Sequence, residues 1–176
     1  MKKKILVTRK LLIENEEKLK EIFDVKLNSK DELYTSDKIL ELSKNCDGVL
    51  IAITDQFNKD LIEKLSPSIK IIANFAVGFG NIDVNAAAKK NIVVTNTPEV
   101  LDDSTADISI LLLLGASRKV LEARRVAELQ NWKWSADFML GKQMSNRRLG
   151  ILGMGRIGRA VAKRARGFNM EIHYHN

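Results

Sequence analysis

The stretch Leu149-Gly150-Ile151-Leu152-Gly153-Met154-Gly155-Arg156-Ile157-Gly158 decides how the chain folds. A short apolar run of strand character leads directly into a turn with glycines at its first, third and sixth positions, and the turn opens a helix over Arg156 to Gly167. Three glycines at that spacing say little by themselves. Between a strand and a helix they form a cradle in which backbone N–H groups and the positive end of a helix dipole meet an anion such as a pyrophosphate. Gly153 permits the tight turn, Gly155 lets a ligand approach the backbone, and Gly158 lets helix and strand pack closely.

Downstream, Met170 to Tyr174 reads as a second strand, and Asn176 stands just past it. A carboxylate there would hold ribose hydroxyls and select NAD. Asn176 can bond a ribose hydroxyl without repelling a 2′-phosphate, so NAD and NADP both stay open. His173 and His175 alternate along this strand and point to one face. Without a third ligand they read as packing or cofactor-edge residues, and no metal site is expected.

Upstream, short β-rich runs alternate with helical periodicity. Lys4 to Thr8, Val25 to Leu27, Val49 to Ile53, Ile69 to Phe75 and Ile92 to Thr95 read as strands. Helical spacing links Leu12, Glu16, Leu19 and Phe23, then Ile39 and Leu42, then Leu61 and Leu65. Asn81 to Val84 opens an Ala86-Ala87-Ala88 helix that Asp83 is expected to cap and Asn91 to end. Five such strands imply a parallel sheet with helices on both faces and ligands beyond the carboxyl ends of the strands. The loops Ala76 to Gly80 and Asn96-Thr97-Pro98 sit there. Past Pro98 the rhythm changes. Asp102-Asp103-Ser104 is expected to cap a long helix from about Thr105 to Arg118, whose stretch Ile108 to Leu114 is apolar nearly all round and so expected to be buried. A charged helix over Val120 to Leu129, an Asn131-Trp132-Lys133-Trp134 segment and a loop from Gly141 to Asn146 complete the chain. The domain boundary is expected near Pro98.

At 176 residues and 45% hydrophobic, the chain is long enough for one complete domain and part of another with packed cores. Its apolar runs are far shorter than the roughly 20 residues a membrane span needs, and no signal peptide is visible, so a cytoplasmic protein is expected. The single Cys46 is expected to be a small buried hydrophobe in a reducing compartment. A charge of +7 raises the possibility of nucleic acid, but acids and bases are interleaved. The one dense cluster, Arg147, Arg148, Arg156, Arg159, Lys163, Arg164 and Arg166, surrounds a turn that already calls for an anion, so neither nucleic acid nor membrane is expected as a partner.

Taken together, these stretches resemble the D-isomer-specific 2-hydroxyacid dehydrogenases, in the branch of the glyoxylate and hydroxypyruvate reductases. Asn74 to Asp83 is similar to that family's substrate loop, and Val93 to Pro98 with Val100-Leu101 to its hinge. Ser104-Thr105-Ala106-Asp107 is similar to the start of its interdomain helix, and Leu149 to Asn176 to its cofactor fingerprint. The resemblance implies a flavodoxin-like parallel-sheet substrate domain over 1–97, followed by the first part of a Rossmann NAD(P)-binding domain over 98–176. The interdomain helix and a dimerisation arm would occupy 102–146, and a homodimer is implied.

Residue by residue, the resemblance has Val77 and Gly78 offer backbone N–H groups to the carboxylate of a small 2-oxo acid, with Leu101 bordering that substrate. Thr105, Gly153, Met154, Gly155, Arg156, Ile157, Gly158 and Asn176 would contact the NAD or NADP. The activity implied is reduction of glyoxylate or hydroxypyruvate to the 2-hydroxy acid. The family's catalytic Arg, Glu and acid/base His lie beyond the second cofactor strand, so no catalytic residue is assigned within these 176 residues. They resemble the N-terminal part of the family only. The alternative is a non-catalytic truncated product or a nucleotide-binding regulatory module. The chain by itself is expected to be inactive, and either marginally stable or covered by oligomerisation. A smaller departure is Glu99, where the family commonly has Gly, which would stiffen or recharge the hinge.

Overall fold

The computed structural model describes residues 1–130 and 132–176. Asn131, which opens the expected Trp132-Lys133-Trp134 arm, lies outside the described residues. The chain divides into two compact units, Met1–Val100 and Leu101–Asn176.

The first unit alternates strand and helix throughout: β1 (Lys4–Val7), α1 (Ile13–Ile22), β2 (Asp24–Lys26), α2 (Ser36–Ser43), β3 (Gly48–Ala52), α3 (Lys59–Lys64), β4 (Ile71–Phe75), α4 (Val84–Lys89) and β5 (Val93–Thr95). All pairings are parallel and the strand order is β2-β1-β3-β4-β5, the flavodoxin-like order. From β1 the chain steps one way to β2, then crosses back to β3 and on to β5. Right-handed crossovers therefore place α1 on one face and α2, α3 and α4 on the other. That second face holds the core, where Ile39 of α2, Leu61 and Ile62 of α3, and Ala86 and Ala87 of α4 pack with Leu6, Val49, Ile51 and Ile72.

Polar caps fix where these helices start. Thr35 accepts from the Lys38 N–H, Asn58 from the Leu61 N–H and Asp83 from the Ala86 N–H. Asn91 follows α4 in the left-handed region at φ 56°. Cys46 is buried, and burial pushes its thiol up.

The second unit contains α5 (Asp102–Ser117), α6 (Val120–Leu129), β6 (Arg148–Leu152), α7 (Arg156–Arg166) and β7 (Glu171–His175). Strands β6 and β7 pair in parallel, with Leu149 opposite Ile172 and Leu152 opposite His175, so β6-α7-β7 is a βαβ unit. Helices α5 and α7 are pinned by Arg164, whose guanidinium bonds Asp103 at 3.0 Å and Asp107 at 2.5 Å.

Two expectations about α5 are corrected. The helix begins at Asp102, so Asp102, Asp103 and Ser104 form its first turn instead of preceding it. The Leu101 carbonyl accepts from the Thr105 N–H and from the Ser104 hydroxyl, and the two carboxylates sit where the helix dipole favours negative charge. The apolar stretch is not buried either. Ile108, Leu111 and Leu112 are 54%, 61% and 67% exposed, and only Ala106 of this helix is buried. The βαβ unit is too small to cover a helix that is apolar on several sides.

Candidate functional site

In the first unit, the segment after β4 is held by its carbonyls. The Ala76 carbonyl accepts from the Thr97 N–H at 2.9 Å, and the Val77 carbonyl from the Asn96 side chain at 2.7 Å. The Gly78 carbonyl accepts from Asn74 Nδ2 at 2.9 Å, and the Phe79 carbonyl from the Ile82 N–H at 3.0 Å. Among the described residues, the N–H groups of Val77 and Gly78 donate to nothing. From Ala76 to Phe79 the carbonyls are engaged while the Val77 and Gly78 N–H groups stand open, the character of an anion nest. Gly78 has a negative φ, and a Cβ built on it would meet nothing within 4 Å. Neither conformation nor packing within the protein demands glycine there, and the space over it is open.

Beneath the loop runs a buried polar chain. Asn74, only 2% exposed, also donates to Asn81 Oδ1 at 3.1 Å, and Asn81 donates to the carbonyls of Ala52 and Asp55 at 3.2 and 3.0 Å. Asp55 in turn accepts from the Thr8 hydroxyl at 2.6 Å and from the Ala52 N–H at 2.9 Å. The carboxyl ends of β1, β3 and β4 are therefore tied together by side chains. Nearby, Arg9 forks onto Asp31 at 2.8 and 2.9 Å, and this pairing, with the Lys10 N–H, holds the Asp31 carboxyl well below the usual carboxylate range.

In the second unit, Gly153, Met154, Gly155, Arg156, Ile157, Gly158 and Asn176 gather at the carboxyl ends of β6 and β7. Gly153 has φ 96°, in the left-handed region, and its N–H donates to the His175 carbonyl at 2.7 Å. A Cβ on Gly158 would collide with the Gly153 carbonyl oxygen, so that glycine is required by the packing of α7 against the turn. Gly155 is required by neither. Its φ is −72° and the space over it is open. No side chain caps α7, so its first-turn donors face outward.

Asn176 uses its Oδ1 to accept from the Met154 N–H at 2.6 Å, which engages the Met154 amide and leaves the Asn176 NH2 directed elsewhere. Arg156 pairs with Asp102 at 3.3 Å, bringing the start of α7 beside the start of α5. Thr105 lies in that first turn of α5, and Leu101 is the residue before it. Val77 and Gly78 belong to the first unit; Leu101 and Thr105 belong to the second.

Of the basic cluster, Arg164 faces α5, while Arg159, Lys163 and Arg166 line a depression of about 410 Å³ with Met154, Ile172 and Tyr174. His173 bonds its neighbour Glu171 at 2.8 Å. Among the described residues no three His, Cys, Asp or Glu side chains group as a metal site, and no helix is long and apolar enough to cross a membrane.

The residues that sequence reasoning missed are Asn74, Asn81 and Asn96. The signal for Asn74 was a polar residue near the end of an otherwise apolar strand, with glycines following, and all three asparagines read equally well as ordinary turn chemistry.

Comparison with known proteins places these features in a wider set. A family described as D-isomer specific 2-hydroxyacid dehydrogenase, catalytic domain, matches residues 5–169. The chain is 44% identical over 179 residues to a glyoxylate reductase of Korarchaeum cryptofilum, covering 100% of this chain and 53% of that protein. A solved structure from Polaromonas sp. JS6 66 is similar with TM-score 0.88 and 39% identity, covering 100% of this chain and 56% of the other. The NADPH-dependent glyoxylate/hydroxypyruvate reductase of Sinorhizobium meliloti, solved with NADP and malonate, is similar with TM-score 0.80 and 30% identity over 100% of this chain and 54% of its own. The chain spans about half the length of the curated relatives it matches.

Proposed function

Because the chain belongs to the D-isomer specific 2-hydroxyacid dehydrogenase family, we infer that its two units are the substrate-binding and dinucleotide-binding parts of a 2-oxo acid reductase, with glyoxylate or hydroxypyruvate as substrate. The observation that carries this reading is the open turn Gly153–Gly158, where the two glycines the fold requires flank one over which the space is open.

The residues present fit a nicotinamide dinucleotide. Gly155, Arg156 and Ile157 would hold the pyrophosphate at the uncapped start of α7. Asn176, fixed by the Met154 N–H, would present its NH2 toward the adenosine ribose, and Thr105 would lie along the phosphates. When bound, the nicotinamide supplies the hydride. The chain's own contribution on the substrate side is orientation: the Val77 and Gly78 N–H groups would hold the carboxylate of the 2-oxo acid. On the family resemblance, the proton for the carbonyl oxygen and the cation that polarises it would come from residues not among these 176. The apolar face of α5 and the arm within 102–146 would be covered by a second copy in a homodimer.

The test is direct binding. Titrating NADPH and NADH into the purified chain, followed by nucleotide fluorescence, should give saturable binding of at least one. Gly155→Val should abolish it while far-UV circular dichroism stays unchanged. Absence of binding by both nucleotides overturns the reading. With glyoxylate added, nucleotide oxidation should stay at the blank rate.

A further inference from the structure

We propose that Asn74 and Asn96 are positioning residues that aim three successive amides, Val77, Gly78 and Phe79, at a ligand carboxylate, so that Phe79 N–H is a further donor in the substrate loop. This rests on the carboxylate-binding reading of that loop.

The inference follows from peptide geometry. In a trans peptide the carbonyl of one residue and the N–H of the next lie in one plane and point in opposite directions, and no cis peptide occurs among the described residues. Whatever grips a carbonyl therefore aims the following N–H the other way. Thr97 N–H grips the Ala76 carbonyl and so turns out the Val77 N–H; Asn96 grips Val77 and turns out Gly78. Asn74 grips Gly78 and turns out Phe79, whose N–H donates to nothing among the described residues.

The grips are themselves anchored. Asn74 is buried, and its second donor bond goes to Asn81, which is fastened to the Ala52 and Asp55 carbonyls at the end of β3. The loop is thus preset before any ligand arrives, and the cost of ordering it is not charged to binding. A ligand with two oxygens on one carbon, small enough to reach over Gly78 where the space is open, is the chemistry such a row of donors recognises.

The experiment is a titration of the ¹⁵N-labelled chain with oxalate, read amide by amide by NMR. In the unaltered chain the Val77, Gly78 and Phe79 resonances should all shift and saturate together. Asn96→Ala, at a half-buried position, should selectively weaken the Gly78 response and lower affinity about threefold to tenfold. Asn74→Ser should selectively weaken the Phe79 response, its fold checked by unchanged resonances in β1 and β3. A merely structural role would move all loop amides together in both variants. Shifts at Val77 and Gly78 without Phe79, or equal losses in the two variants, overturn this proposal and leave the carboxylate site standing. No response at any loop amide in the unaltered chain removes the carboxylate site and this proposal with it.

Discussion

Glycines carry the residue-scale argument because the structure separates those the fold requires from those over which the space is open. A methyl group on Gly158 meets the Gly153 carbonyl oxygen, whereas one on Gly155 meets nothing. Gly158→Ala should therefore cost about 1–3 kcal/mol of stability by overpacking. Gly155→Ala should be neutral or slightly stabilising through the unfolded chain, yet weaken dinucleotide binding. Urea unfolding of both variants beside nucleotide titration checks this, and equal destabilisation by the two would refute it. Glu99 presents the opposite case, a residue with φ 68° in the left-handed region, where a non-glycine residue carries roughly 1–2 kcal/mol of strain.

Charge gives a second test at this scale. Asp31 has its carboxyl held low by the Arg9 fork and the Lys10 N–H. A depressed carboxylate contributes its stability above the unfolded value of about 3.9 and loses it as pH falls toward the folded value. Asp31→Asn keeps a side chain that tolerates the φ of 54° at this position. It should lower the urea midpoint at pH 7 and pH 5, with the gap to the unaltered chain narrower at pH 3. A gap constant across that series would refute the assignment.

Among the elements, the strands were the most legible. Runs such as Val49-Leu50-Ile51 and Ile71-Ile72 are apolar and mostly β-branched because a central parallel strand has helices over both faces. Helices α2 and α3 were legible through the spacing of their apolar residues and α4 through its cap, Asp83. Helix α5 was not, because composition records that a surface is apolar without recording what covers it. Its Ile108, Leu111 and Leu112 stay exposed within the chain. The candidate site divided in the same way: the glycine turn stood out by spacing, while the asparagines under the loop were hidden, since an Asn that ties down a distant carbonyl looks in sequence like any turn residue. If a second copy covers α5, then Leu111→Lys combined with Leu112→Lys should lower the sedimentation coefficient to that of a monomer without loss of helix. An unaltered chain that sediments as a monomer at tens of micromolar would refute the dimer at its premise.

At the scale of the whole molecule, the two units differ in what holds them. The first buries a continuous core running from Leu6 through Phe57 and Ile72 to Ile92, under five strands joined in register. Among its described residues the second buries only Ala106, Met144, Val161, Ala162 and Ala165 of the apolar ones, three of them alanines, and its two-stranded sheet leaves Leu152 and Tyr174 exposed. Burial contributes about 25 cal/mol per Å² of apolar surface, so a core of alanines supplies far less than one of Ile, Leu and Phe. Local stability should follow: in hydrogen exchange the amides of β1, β3 and β4 should outlast those of β6 and β7. A ligand that binds only the folded second unit adds stability to it by mass action, by about 2.7 kcal/mol at a hundredfold excess over its dissociation constant. NADPH at that excess should therefore slow exchange in β6, β7 and the start of α7 roughly a hundredfold while leaving β1 and β3 unchanged. Equal protection of the two sheets without nucleotide, or slowing confined to the first unit, would show that the smaller core is not what limits the second unit and that the glycine turn is not where the nucleotide acts.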